Sequence, residues 1–193
     1  MGLGTLAVRG ALGPLFVGHG TQKLFGWFDG HGLEATAGGF ESMGLRPGKR
    51  HAVAAGAAEA LGGALLTLGA FTPLAQAMIT GTMVTAIRKV HAPNGPWVTS
   101  NGYEYNLTLI ALAAALTETG PGSPSVDSAL FGDSFKGKGW ALAALAAGVA
   151  GSYLVTERLV EPEPELADVG MDDPSLADQP RFEREPVSTE QTA

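Results

Sequence analysis

Long apolar runs separated by short polar connections dominate the first 160 residues. The runs cover residues 3–25, 51–68, 71–87, 103–116 and 140–155. A helix needs about 20 mostly apolar residues to cross about 30 Å of hydrocarbon. The first run is interrupted only by Arg9, His19 and Lys23, the second only by Glu59 apart from His51 at its start, and the third carries no charge before Arg88. The fourth is short, and the fifth is Ala-rich, with Lys136 and Lys138 before it and Glu157 and Arg158 after it. A helix that packs in water shows a polar stripe at the 3.6-residue period. Residues 51–87 instead hold one charged residue, Glu59, in 37. The pattern predicts an all-α transmembrane helical bundle with a four-helix core and an additional C-terminal helix. The expected organisation is a core over 1–131, the fifth helix within 132–160, and a tail over 161–193.

Connections sharpen this picture. Gly69 to Pro73 leaves room only for a tight turn, so the second and third helices should form an antiparallel hairpin. In loop one, residues 29–50, Leu33, Ala37, Phe40 and Met43 fall at helical spacing. They predict a short interfacial helix, interrupted at Gly38-Gly39. Gly56, Gly62, Gly63, Gly81 and Ala113 to Ala115 predict close helix packing in lipid. Trp27, Trp97, Tyr103, Trp140 and Tyr153 sit near run ends, where interfacial aromatics belong.

Charge is distributed unevenly. The chain is 45% hydrophobic and 16% charged, against a usual charged share of about 25%. Residues 161–193 hold ten acids and two arginines, net −8, which leaves the body at net +1. The overall −7 is therefore a property of the tail, and it argues against a nucleic-acid-binding surface. With five prolines and few large apolar residues, the tail cannot offset its ordering entropy and is expected to be disordered. With five spans, Arg46, Lys49, Arg50, Arg88, Lys89 and Arg158 share one side, and only Lys136 and Lys138 lie opposite. Positive charge marks the cytoplasm. The expectation is a multi-pass membrane protein, N-terminus outside and tail inside; without the fifth span the tail would lie outside. The first run lacks a basic start and a small-x-small cleavage site, so it reads as a retained helix. There is no cysteine, hence no disulfide, thiolate metal site or dithiol relay within the chain.

Ionisable groups inside a span are costly and usually face the bundle interior, which makes them the informative positions. Arg9, His19, Lys23, Glu59, Arg88, His91 and Glu104 are expected to form a polar intramembrane pocket. His19 and Lys23 are four apart and share a helix face, and Arg9, fourteen before Lys23, falls close to that face. Each has a structural reading too. Arg9 can pair with Glu59 and fix register, Lys23 can snorkel, and Arg88 and Lys89 can anchor the cytoplasmic end. Glu59 is either a structural ion pair or a ligand or proton site. His19 and His91 lack a matched third ligand, so no metal is expected. There is no P-loop, G-x-S-x-G or H-E-x-x-H.

Several stretches, taken in order, resemble the DoxX family of small bacterial membrane proteins. They are Gly18-His-Gly-Thr-Gln-Lys-Leu-Phe-Gly-Trp-Phe28, Gly39-Phe40 with Met43-Gly44, Glu59-Ala-Leu-Gly-Gly63 with Leu68-Gly69, Glu104, and Gly120-Pro-Gly-Ser-Pro-Ser-Val-Asp127. The resemblance covers roughly residues 5–131 and implies a four-helix transmembrane core. It implies association with quinone-linked or oxidative-stress redox complexes, quinone as the cofactor, membrane lipid and redox protein subunits as partners, and no agreed catalytic residues. A non-enzymatic solute transporter or membrane scaffold is the alternative. Gly120-Pro121-Gly122 is a turn signal, after which Ser123, Ser125 and Asp127 are expected to cap a short helix.

Overall fold

A computed structural model describes residues 2–162. The tail expected over 161–193 lies, beyond Pro162, outside the described residues. The described residues are helical, with no strand. Seven α-helices follow one another: α1 (Leu3–Phe25), α2 (Gly32–Ser42), α3 (Gly48–Leu68), α4 (Thr72–Ala86), α5 (Glu104–Thr119), α6 (Val126–Leu130) and α7 (Lys138–Tyr153). Single π-helical turns extend α4 over Ile87–His91 and α7 over Leu154–Arg158. The five expected runs are α1, α3, α4, α5 and α7. The interfacial helix of loop one is α2, which continues through Gly38-Gly39.

Glycine spacing sets the α1–α3 contact. Gly13 and Gly20 on α1, and Gly56 and Gly63 on α3, are each seven apart and face one another across the pair. A Cβ at Gly63 would lie 2.6 Å from Gly13 O, and one at Gly20 would lie 2.5 Å from Gly56 O. Only backbones without side chains can approach this closely. Because Gly13 meets Gly63 and Gly20 meets Gly56, the helices are antiparallel, and Arg9 stands level with Thr67.

The second contact joins α4 to α7 by a polar ladder. Gln76 Nε2 donates to Ala141 O at 2.9 Å, Thr85 Oγ1 meets Ser152 Oγ at 2.8 Å, and Arg88 Nη1 donates to Thr156 Oγ1 at 2.9 Å. Residue numbers rise together on both helices, so α7 runs parallel to α4 and crosses whatever α4 crosses. Between the rungs, a Cβ at Gly148 would lie 2.6 Å from Ala77 O. The apolar core combines Leu12 and Phe16 of α1, Leu66 of α3, Ile79 and Met83 of α4, and Leu109, Ile110 and Leu116 of α5.

Among the described residues, two helices are both long and apolar enough to cross a membrane by length and composition, Gly48–Leu68 and Lys138–Arg158. α1 is long enough at 23 residues, but polar and ionisable groups dilute it. α5 has only 16 residues, about 24 Å of rise.

Candidate functional site

Helices α1 to α5 and the end of α7, through Gly151, Val155 and Thr156, line a cavity of about 420 Å³, within the usual range for small-ligand sites. α1 contributes Leu12, Leu15, Phe16, His19 and Lys23, a stripe at helical spacing. α3 contributes His51, Ala55, Ala58 and Glu59, again one stripe, with alanines leaving the space that a polar residue brackets at each end. α4 and its π-turn add Met78, Met83 and Lys89, and α5 adds Tyr105, Asn106 and Leu109. Phe40 of α2, with Met43 and Leu45, covers one end. The walls are mainly apolar.

A buried ion pair is the principal polar feature. Lys23 Nζ lies 2.5 Å from Glu59 Oε2, and their side chains are 29% and 7% exposed. Glu59 sits deeper than Lys23. The two reach each other because every Cα–Cβ bond tilts toward its own helix N-terminus, and these helices are antiparallel. Glu59 is therefore held by Lys23, and the expected Arg9–Glu59 pair does not form. His19, on the exposed face of α1, bonds Gln22 Oε1 through Nδ1 at 3.1 Å. His51 is 4% exposed, stacks on Phe40 with ring centroids 6.5 Å apart, and has no hydrogen-bond partner at Nε2.

The cavity brings together His19, Lys23 and Glu59 of the seven expected residues; the other four stand elsewhere. Arg9 lies at the opposite end of the bundle, buried at 4% exposure. Its Nε donates to Leu66 O at 3.2 Å, Nη2 to Thr67 O at 2.8 Å, and Nη1 to Pro121 O and Pro124 O at 2.9 and 2.8 Å. Arg88 faces α7, with Nη2 2.6 Å from Glu157 Oε1 and its guanidinium 3.6 Å from the Tyr153 ring centroid. His91 Nδ1 bonds Asn101 O at 2.8 Å, and Glu104 Oε1 accepts from Val98 N at 2.7 Å. These contacts tie loops and helix ends together.

Asp127 also departs from expectation. Ser125 caps the short α6, accepting from Ser128 N at 3.2 Å. Asp127, only 1% exposed, caps α4 instead: Oδ1 accepts from Phe71 N at 2.7 Å, and Oδ2 from Thr72 N and Oγ1 at 2.9 and 2.6 Å. The Gly120–Asp127 segment thus closes one end of the bundle, holding α3 through Arg9 and α4 through Asp127.

The DoxX family model matches residues 4–92, from α1 through the last turn of α4. This segment is a DoxX domain. The chain is accordingly a helical membrane protein. The DoxX segment contains most of the cavity, including the Lys23–Glu59 pair and His51; α5, the Gly120–Asp127 segment and α7 lie beyond it. No curated protein and no solved structure matches the chain.

His51 is the residue that sequence reasoning passed over. Its signal was present: it stands eight residues before Glu59, with Ala55 and Ala58 between them at i+4 and i+7.

Proposed function

We propose that this chain is the integral membrane subunit of a quinone-linked oxidoreductase or oxidative-stress redox complex of the bacterial plasma membrane, with its N-terminus outside and its tail in the cytoplasm. The observation that carries the reading is the Lys23–Glu59 pair at the edge of a largely apolar cavity. A quinone, when bound, supplies an acceptor for two electrons and two protons. The chain's residues fit its headgroup. Lys23 offers an N–H donor and a positive charge toward a carbonyl oxygen. Glu59 fixes the ammonium in place and balances its charge. His19, at the open face, places an imidazole between water and the cavity, where its ring nitrogens can relay a proton. The absence of cysteine supports a subunit that receives electrons from a partner rather than through thiols of its own.

The test is affinity purification in mild detergent, with mass spectrometry of co-purifying proteins and lipid-soluble molecules. The expected result is a redox enzyme together with bound quinone, and loss of at least tenfold of the complex's quinone-dependent turnover in Glu59→Gln. Recovery of the chain alone, free of quinone, would overturn the reading and favour a solute transporter or scaffold.

A further inference from the structure

The polar groups of the cavity are gathered at one end. His51 lies in the first turn of α3, Lys23 in the last turn of α1 and Lys89 in the π-turn that extends α4, so all three lie toward the same side of the bundle. Leu12 stands eleven residues before Lys23 on α1, about 16 Å deeper. Around it the lining is Leu15, Phe16, Met83 and Leu109. The space therefore suits a molecule with a polar head and an apolar body.

The same space opens sideways. α1 packs on α3 and α2, and α5 on α4 and α7, but α1 and α5 do not pack along one another. Leu15 of α1 and Tyr105 of α5 both line the cavity, and each keeps 55% of its surface exposed. That surface faces hydrocarbon when the helices span a membrane.

Charge selects the head. Lys23 is matched by Glu59, and Lys89 lies 3.9 Å from Glu157 Oε1, so neither lysine is left without a carboxylate. A head with hydrogen-bonding oxygens and no formal charge fits better than a phosphate. The buried, unpartnered Nε2 of His51 is the group that lacks a bond. A polar atom at so low an exposure is normally satisfied.

We propose that a tailed quinone reaches the cavity laterally from the bilayer between α1 and α5, and that His51 Nε2 hydrogen-bonds its headgroup. This rests on the quinone reading above and adds the route and the recognising residue. His51 is a binding residue here, held in place by its stack on Phe40.

The experiment is equilibrium binding of menaquinone-4 and of its tail-less headgroup, menadione, to the full chain in phosphatidylcholine nanodiscs. Wild type is expected to bind both, the tailed quinone more tightly. Leu15→Trp should weaken menaquinone-4 at least tenfold and change menadione less than twofold. His51→Phe, which keeps the ring stack and removes the nitrogen, should weaken both at least fivefold. If Leu15→Trp does not fold, judged by thermal unfolding, Tyr105→Trp on the facing wall takes its place with the same expectation. Tight binding of both quinones with neither substitution having an effect would overturn this inference and leave the quinone reading standing. Binding of neither quinone by wild type would overturn the quinone reading itself. Phospholipid retained by wild type in place of quinone, and lost in His51→Phe, would overturn the assigned occupant.

Discussion

Arg9 shows how one residue can be placed correctly on a helix face and wrongly in depth. Periodicity reports angle around the axis. Fourteen residues return Arg9 close to the angle of Lys23, but they also carry it about 21 Å along the axis. It reaches the C-terminal end of α3, where the last carbonyls have no partner within the helix and a cation is favoured. Gly69 completes that end in the left-handed conformation, φ 60°, and a Cβ there would lie 2.8 Å from Arg9 Cζ. Arg9→Leu should take the guanidinium from four carbonyls, of which Leu66 O keeps a backbone donor, Gly69 N, and lower stability by about 3 kcal/mol. Arg9→Lys should recover only part of this, because a single ammonium cannot reach all four. Thermal unfolding of the purified protein in detergent measures both. A wild-type melting temperature for Arg9→Leu would show that the Gly120–Asp127 segment holds α3 by other means.

Among the helices, the glycines control what meets what. The seven-residue spacing on α1 and on α3 sets one antiparallel register, and from it follow both the Lys23–Glu59 pair and the level at which Arg9 meets Thr67. Gly63→Ala should destabilise by about 2 kcal/mol, since its methyl would press on Gly13 O, a backbone atom that cannot turn aside. Gly10→Ala on the same helix pair is the control. Nothing lies within 4 Å of a Cβ there, so the change should be neutral or stabilise by roughly 0.5–1 kcal/mol through helix propensity. Equal effects of the two would remove the register argument. Apolar runs were enough to place the main helices in the sequence, because burial in lipid demands a continuous signal. Pairing between helices was less legible. The small residues were read as generic packing, and the matched spacing of Gly13–Gly20 with Gly56–Gly63 was not used. Asp127 shows the same limit: the second residue of a short helix looks like part of its local cap, and only the folded chain brings it to Phe71 and Thr72.

For the whole molecule, the number of bilayer crossings turns on α7, and its packing on α4 predicts a fifth crossing. The ladder from Gln76–Ala141 to Arg88–Thr156 holds α7 parallel to α4 over its length. Removing α7 to the membrane surface would leave Gln76 Nε2 and the Arg88 guanidinium facing hydrocarbon without their partners, which lipid penalises heavily. Five crossings would put loop one, the α4–α5 connection and the end of α7 on one side. That side carries Arg46, Lys49, Arg50, Arg88, Lys89 and Arg158, and should be cytoplasmic. Because the chain has no cysteine, single cysteines can be introduced without background. Ser134→Cys should react with a membrane-impermeant maleimide on intact cells, while Ser42→Cys, Thr99→Cys and Leu159→Cys should react only after permeabilisation. Labelling of Leu159→Cys together with Ser134→Cys on intact cells would mean that α7 does not cross. Labelling of Ser42→Cys and Thr99→Cys alone would reverse the orientation and open the polar end of the cavity, where His51 and Lys23 stand, to the outside.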